Sequence, residues 1–194
     1  MVFSDMHNDL RALQMAMSVE ADWYVCAGDL VNWGRGLDKM AAPMLPKSDR
    51  VYVLPGNHES ATDIAEFCAQ HGFHDFHGRS LLAGGVHIAG LGYSSPTPFA
   101  TPGEYSEAEL GERLGKFASL DPLILICHAP PLNTSLDRIH AGLNGGSQAV
   151  RDFIEVHQPR QFFCGHIHEA EGASLRMGAT LARNAGKKGF LLEW

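Results

Sequence analysis

The 194-residue chain has no long apolar run. Its longest stretch free of Asp, Glu, Lys and Arg, residues 80–103, is filled with Gly, Pro, Ser and Thr, whereas a membrane-crossing helix needs about 18 or more apolar residues. Nor is there a surplus of base. The chain carries 15 Lys and Arg against 22 Asp and Glu, a formal charge of −7, so long nucleic acids are not expected as partners. The opening residues lack the basic segment and greasy core of a secretory leader, with Asp5 already in that window. Cysteine is scarce too, at four residues. Cys26, Cys127 and Cys164 lie in or beside apolar runs, which reads as reduced thiols of a cytoplasmic protein, not a disulfide framework. What the chain does have is histidine, 11 residues of it. Histidine is the commonest metal ligand and the usual near-neutral acid–base group, so its placement is the first functional question.

The length fits one domain spanning residues 1–194. Short β-rich runs recur at Met1–Ser4, Trp23–Ala27, Arg50–Leu54, Val86–Tyr93, Pro122–Cys127 and Gln161–Cys164. Helical spacing lies between several of them: Leu10, Leu13, Met17; then Ile64, Phe67, Cys68; then Leu110, Leu114, Phe117 after the acidic start Glu107 and Glu109. Ser147 reads as the N-cap of a helix carrying Val150, Phe153 and Ile154. The tail from Ala173 reads as short strands with turns at Gly178 and Gly186–Gly189, and Pro96, Pro98 and Pro102 mark a surface loop over residues 94–103. Alternating strands and helices predict a layered α/β domain.

The informative pattern lies at the ends of the apolar runs. Val2-Phe3 leads to Asp5 and His7, Trp23–Ala27 to Gly28-Asp29, and Val51–Leu54 to Gly56-Asn57-His58-Glu59. Leu123–Cys127 leads to His128, and Phe162–Cys164 to Gly165-His166-Ile167-His168. Ligands of open α/β sheets bind beyond the carboxyl ends of the strands, so these positions can converge in one crevice. Residues i and i+2 of an extended chain face one side, which pairs Asp5 with His7 and His166 with His168. Asn57 and His58, as neighbours, diverge and take different jobs. Glycines 28, 56 and 165 each precede a candidate ligand, where the backbone turns sharply or is closely approached. Oxygen and imidazole donors without thiolate suit divalent Mn, Fe, Zn, Co or Ni.

Taken in order, Asp5-x-His7, Gly28-Asp29, Gly56-Asn57-His58-Glu59, His128 and Gly165-His166-x-His168 resemble the five motifs of the calcineurin-like metallophosphoesterase superfamily. The stretches Gly28-Asp29-Leu30-Val31-Asn32-Trp33-Gly34 and Cys164 to Glu169 are similar to the small Icc-related phosphoesterases. The resemblance implies a four-layer α/β/β/α sandwich with a dinuclear metal site at the carboxyl ends of its strands. It implies that Asp5, His7 and His168 hold one ion, that Asn57, His128 and His166 hold the other, and that Asp29 bridges both. It makes His58 the proton donor to the leaving oxygen. A shared carboxylate lowers the repulsion of two dications about 3.5–4 Å apart. With Asp5 and Asp29 ionised and the histidines neutral, a net charge of about +2 remains to bind a phosphate and acidify a bridging water, whose hydroxide attacks the ester.

The other candidates divide by context. His71, His74 and His77 lack matching carboxylates and read as a solvated surface, as do His87, His140 and His157. Glu59 and Glu169 flank ligands, and each reads equally as an orienter of a ligand or as a solvated charge. Asn32 reaches substrate or caps a turn. Serine/threonine protein phosphatases of this superfamily carry Asp-Arg where this chain has Asn32-Trp33, which argues against that substrate class. The interval between Asn57 and His128 is too short for a large cap domain, so an open site for small phosphodiesters, and for monoesters after them, is expected. The alternative is a catalytically silent scaffold acting through protein partners. The filled ligand set favours the enzyme.

Overall fold

The computed structural model describes residues 1–194. In the first part of the chain, β1 (Val2–Phe3), β2 (Tyr24–Cys26), β3 (Val51–Val53) and β4 (His74–Asp75) alternate with α1 (Leu10–Ser18), α2 (Leu37–Ala41) and α3 (Ala61–His71). The four strands form a parallel sheet in that order. Local chemistry sets the helix ends. Asp9 accepts the Ala12 N–H at the start of α1, and α3 runs from a Ser60–Asp63 capping box to Gly72, left-handed at φ +73. The stripes Leu13, Met17 and Ile64, Phe67, Cys68 pack onto one sheet face, against Phe3, Tyr24, Cys26, Val51 and Val53. Leu10 departs from its stripe. It opens α1 at 39% exposed, and the buried face begins one turn later with Leu13.

The rest of the chain adds β5 (Arg79–Ala83), β6 (Val86–Leu91), α4 (Glu107–Gly115), β7 (Leu123–Cys127), the hairpin β8 (Arg138–His140) and β9 (Leu143–Asn144), α5 (Gln148–His157), β10 (Gln161–Cys164), β11 (Ser174–Met177) and β12 (Thr180–Asn184). Six of these strands make a second sheet in the order β11-β12-β10-β7-β6-β5. Its centre is parallel, and β5 and β11 close it as antiparallel edges. Ser147 caps α5 by accepting the Val150 N–H, as its position predicts.

The two-residue period of the strands turns these sheets into four layers. Leu123, Leu125 and Cys127 of β7 face α4 and α5, with Val150, Phe153 and Ile154. Ile124 and Ile126 of the same strand, with Phe163 of β10 beside them, face the first sheet and meet Val2, Val25 and Leu54. The result is the expected α/β/β/α sandwich, with an apolar core at each of its three junctions. Every parallel strand of both sheets ends at one edge of the sandwich, and the site forms there.

Two local expectations change. Residues 94–103 form the expected loop, but it bends inward, so that buried Thr101 meets Asn57. His77 is no solvated surface residue. Its ring packs beside those of Tyr93 and Tyr105, its Nδ1 accepts the Gly92 N–H at 3.0 Å, and its Nε2–H therefore donates to the Tyr105 hydroxyl at 3.0 Å. Protonation would set N–H against N–H. Burial, only partly opposed by Asp75, lowers its pKa to about 4. Between the unfolded value near 6.5 and this one, the folded state binds fewer protons, so stability is lost as pH falls through that window. Urea titrations at pH 7 and pH 4.5 should show His77→Gln flattening this loss, which the single histidine raises by up to about 3 kcal/mol.

Candidate metal centre

All eight motif residues gather at the shared edge. The turn after β1 carries Asp5 and His7, the turn after β2 carries Asp29, and the turn after β3 carries Asn57 and His58. From the second sheet come His128, directly after β7, and His166 and His168, after β10. The approach is close enough to dictate glycine. A Cβ on Gly56 would collide with the Asp29 carboxylate, and one on Gly165 with Ser4 and Asp5. The candidate ligands themselves are held in the left-handed region: Asp5 at φ +57, His7 at +46, Asp29 at +53 and His166 at +71. For non-glycine residues that conformation costs about 1–3 kcal/mol each and persists only where the surroundings enforce it.

Two ligand clusters are joined at Asp29 by a third group, His7, Asp29 and His58. Asp5, His7 and His168 form one, and Asp29, His128 and His166 another, with the ligand atoms of each lying within 4.8 Å of one another. Asp29 Oδ2 stands 3.5 Å from His7 Nε2 and 3.4 Å from His128 Nε2, so one carboxylate oxygen faces both. Its Oδ1 accepts the His58 N–H at 2.9 Å. Asn57 Oδ1 completes the second cluster, 3.2 Å from His128 Nε2 and 2.8 Å from His166 Nδ1.

Outward hydrogen bonds fix which atoms face the centre. His128 Nδ1–H donates to the Ala27 carbonyl at 2.8 Å, which leaves its Nε2 lone pair inward. Asn32 Nδ2 is engaged by Asn8, so Asn32 Oδ1 accepts from His7 Nδ1–H at 2.7 Å, and the His7 Nε2 lone pair also faces inward. Asn57 Nδ2 donates to Thr101 Oγ1, turning its oxygen to the centre. Buried acceptors therefore point at one another, an arrangement that is unfavourable unless positive charge stands among them.

The titration behaviour agrees. Burial opposes ionisation of Asp29, yet His128, His7 and the His58 N–H hold its carboxyl well below the usual range. Burial also opposes protonation of His128, but Asp29 and Asp5 outweigh it and lift its pKa to about 9. A proton on His128 is the charge the cluster gathers when nothing else supplies it. Burial holds His7 down to about 4 and His166 to about 3, so both are neutral donors at pH 7, the form a metal requires. By donor type, lone-pair direction and charge, these residues fit divalent cations.

His58 lies beside this set, its ring edge-on to His7 at a centroid distance of 4.9 Å. The Trp33 N–H donates to its Nδ1 at 3.3 Å, which puts the ring proton on Nε2. Glu59 is an orienter and no solvated charge. Fully buried, it accepts the N–H groups of Asp29, Val31 and Gly56 at 3.2, 2.8 and 2.8 Å, and so ties two ligand turns together. Burial and the Asp29 charge raise its pKa to about 8. Glu169, by contrast, is exposed on the rim of the cleft. Asn32 orients His7. Sequence reasoning missed Thr101 and Asn184, the latter a buried residue donating to the Gly165 and Ile167 carbonyls at 3.2 and 3.0 Å. Neither stands in a ligand motif; the only signal was that Thr101 lies within a proline-rich run and Asn184 ends a strand. His71, His74 and His77 turn to Asp38, the Asp49 carbonyl and Tyr105 respectively and share no centre. A cleft of about 530 Å³ opens over Asp29, Asn57, His58, His166 and His168.

Comparison with known proteins gives the family of the chain. The family model described as calcineurin-like phosphoesterase matches residues 1–170, and the chain belongs to that family of divalent-metal proteins. It is 30% identical over 196 residues to an uncharacterised protein of Methanocaldococcus jannaschii, covering 97% of this chain and 88% of that one. The phosphopantetheinyl hydrolase of Mycobacterium tuberculosis shares the fold at TM-score 0.64 and 15% identity, over 95% of this chain and 87% of that one. A dimetal phosphatase of Danio rerio shares it at TM-score 0.59 and 13% identity, over 94% and 85%. The role of Asn32 is open to direct measurement. Asn32→Ala should weaken Mn²⁺ binding by about 10–100-fold in a chelator competition while leaving the thermal melt of the metal-free protein in place; unchanged affinity would remove Asn32 from the metal's support.

Proposed function

We propose that this chain is a metal-dependent phosphoesterase for small phosphate esters, diesters ahead of monoesters, with residues 1–194 acting as one domain. The observation that carries the reading is the ring of inward lone pairs around Asp29 Oδ2, with the His58 ring beside it. Asp5, His7 and His168 would hold one divalent ion, Asn57, His128 and His166 a second, and Asp29 both. Manganese is the first choice for trial, and Fe, Zn, Ni or Co suit the same donors. Such ions supply Lewis acidity at the phosphoryl oxygens and an acidified water for attack.

The chain's own residues do the rest. With Nδ1 accepting the Trp33 N–H, His58 carries its hydrogen on Nε2, where it would hydrogen-bond the leaving alcohol oxygen. Full proton transfer to that oxygen would use the imidazolium, formed when Nδ1 takes up a proton and gives up the Trp33 N–H contact. Asn57 adds a neutral oxygen, so the centre keeps positive charge for the ester anion. None of the fifteen residues lining the cleft is Lys or Arg, and Glu169 stands on its rim. A diester brings one negative charge into that setting and a monoester dianion two, which supports the diester. The hydrolase and phosphatase that share the fold support phosphoester hydrolysis in general. Four buried free thiols support a cytoplasmic setting.

Mn²⁺-loaded protein should hydrolyse bis-p-nitrophenyl phosphate faster than p-nitrophenyl phosphate and lose both activities in chelator. Silence towards both esters with Mn²⁺, Co²⁺, Ni²⁺ and Zn²⁺ would leave only the scaffold. His58→Ala should keep its metal and lose about 10²–10⁴-fold in kcat, most with poor leaving groups. Metal analysis showing an emptied centre in that variant would reject the role given to His58. Asp29→Asn should weaken both ions together, and selective loss of one would contradict the shared carboxylate.

A further inference from the structure

The cleft has a wall that the metal chemistry does not use. On one side, the loop over residues 94–103 holds Phe99 at 72% exposure. On the other, the β8–β9 hairpin holds Leu143 at 45% exposure. Ile139 and Ile167 floor the hairpin side, close enough that a Cβ on Gly145 would touch both. Single exposed apolar residues are ordinary on a protein surface. Here two line the same cleft, with two isoleucines flooring the hairpin side, and this cleft opens over Asp29 and His58.

Both walls are braced. Glu104 Oε1 accepts from Thr97 Oγ1 at 2.6 Å, the Thr101 N–H at 2.8 Å and Thr101 Oγ1 at 2.6 Å, and Thr101 in turn holds Asn57. Pro96 and Pro98 stiffen the same loop by fixing φ. Opposite, the buried Asp137 carboxylate accepts the N–H groups of Asn133, Thr134 and Gly146 at 3.0, 2.7 and 3.1 Å, which fixes the ends of the hairpin. Apolar side chains on preorganised supports bind with little ordering cost.

We infer that Phe99 and Leu143 determine specificity by holding an apolar or aromatic alcohol group of a singly charged phosphodiester whose phosphoryl group sits over Asp29 and His58. The inference rests on the phosphoesterase reading for the position of the phosphoryl group. The absence of Lys and Arg from the lining and the carboxylate of Glu169 disfavour a second phosphate, so the recognised portion is uncharged. Phe99 offers a ring face for stacking, and Leu143 with the isoleucine floor offers area for burial.

The test separates recognition from turnover. Calorimetric titration of Mn²⁺-loaded protein with diphenyl phosphate and with dimethyl phosphate compares two monoanions that differ only in their organic groups. Diphenyl phosphate should bind about tenfold or more tightly, and Phe99→Ala and Leu143→Ser should each erase about threefold or more of that preference. Both positions are exposed, so the variants are expected to fold, which their thermal melts verify. Equal affinity for the two esters, no binding of diphenyl phosphate, or full preference in the double variant would overturn the inference. Preference for diphenyl phosphate in a protein that turns over no p-nitrophenyl ester would support it while rejecting the hydrolase reading.

Discussion

A buried carboxylate oxygen with two imidazole lone pairs turned toward it, and an amide oxygen set against one of those imidazoles, is the constraint on which the structure depends. Acceptors do not attract one another, so positive charge must stand among them, and the high pKa of His128 expresses that demand as a proton. Holding such a set together is costly, and the costs are visible in the backbone. Four candidate ligands adopt left-handed φ, and two glycines exist where a side chain would strike a carboxylate. The outward partners of the ring, namely the Ala27 carbonyl, Asn32 and Thr101, are neutral. They set direction without adding charge, so the electrostatics at the centre are left to Asp5 and Asp29.

The sandwich supplies the rigidity this needs. Strand alternation places Ile124 and Ile126 against Val2 and Val25, which locks the two sheets face to face with their carboxyl edges level. Turns leaving those edges have little freedom. Glu59 removes more of it by collecting N–H groups from the turns after β2 and β3. Asn184 does the same for the turn after β10 from the neighbouring strand. Walls that select a substrate can therefore be built on loops and still be firm, as the Glu104 and Asp137 braces show.

Much of this was legible in the chain because ligand and strand are adjacent in sequence. A short apolar run followed by Asp5-x-His7 or His166-x-His168 carries both the element and its payload, and the same phase repeats for Asp29, Asn57 and His128. Asn32 and Glu59 stood in plain view, but their work depends on which backbone groups and rings come to them from other turns. Thr101 and Asn184 were invisible because each acts on a partner far away in sequence, with 44 residues separating Asn57 from Thr101. His77 was misread for a related reason: its neighbours Gly92 and Tyr105 arrive only with the folding of the second sheet. The β8–β9 hairpin, made of very short strands, left too little periodicity to detect.

The two ligand clusters each draw on both sheets. Asp5 and His7 leave β1 while His168 leaves β10, and Asp29 leaves β2 while His128 and His166 leave β7 and β10. An ion in either position is thus a rivet through two plates whose facing surfaces are a greasy, direction-insensitive layer, with hydrogen bonds such as Val2–Phe190 and His128–Ala27 crossing only at the margins. Such a layer resists separation better than sliding. Loading the centre would stiffen the sandwich against shear along the sheet planes, so the same atoms that set the chemistry would also set the mechanical alignment of the halves.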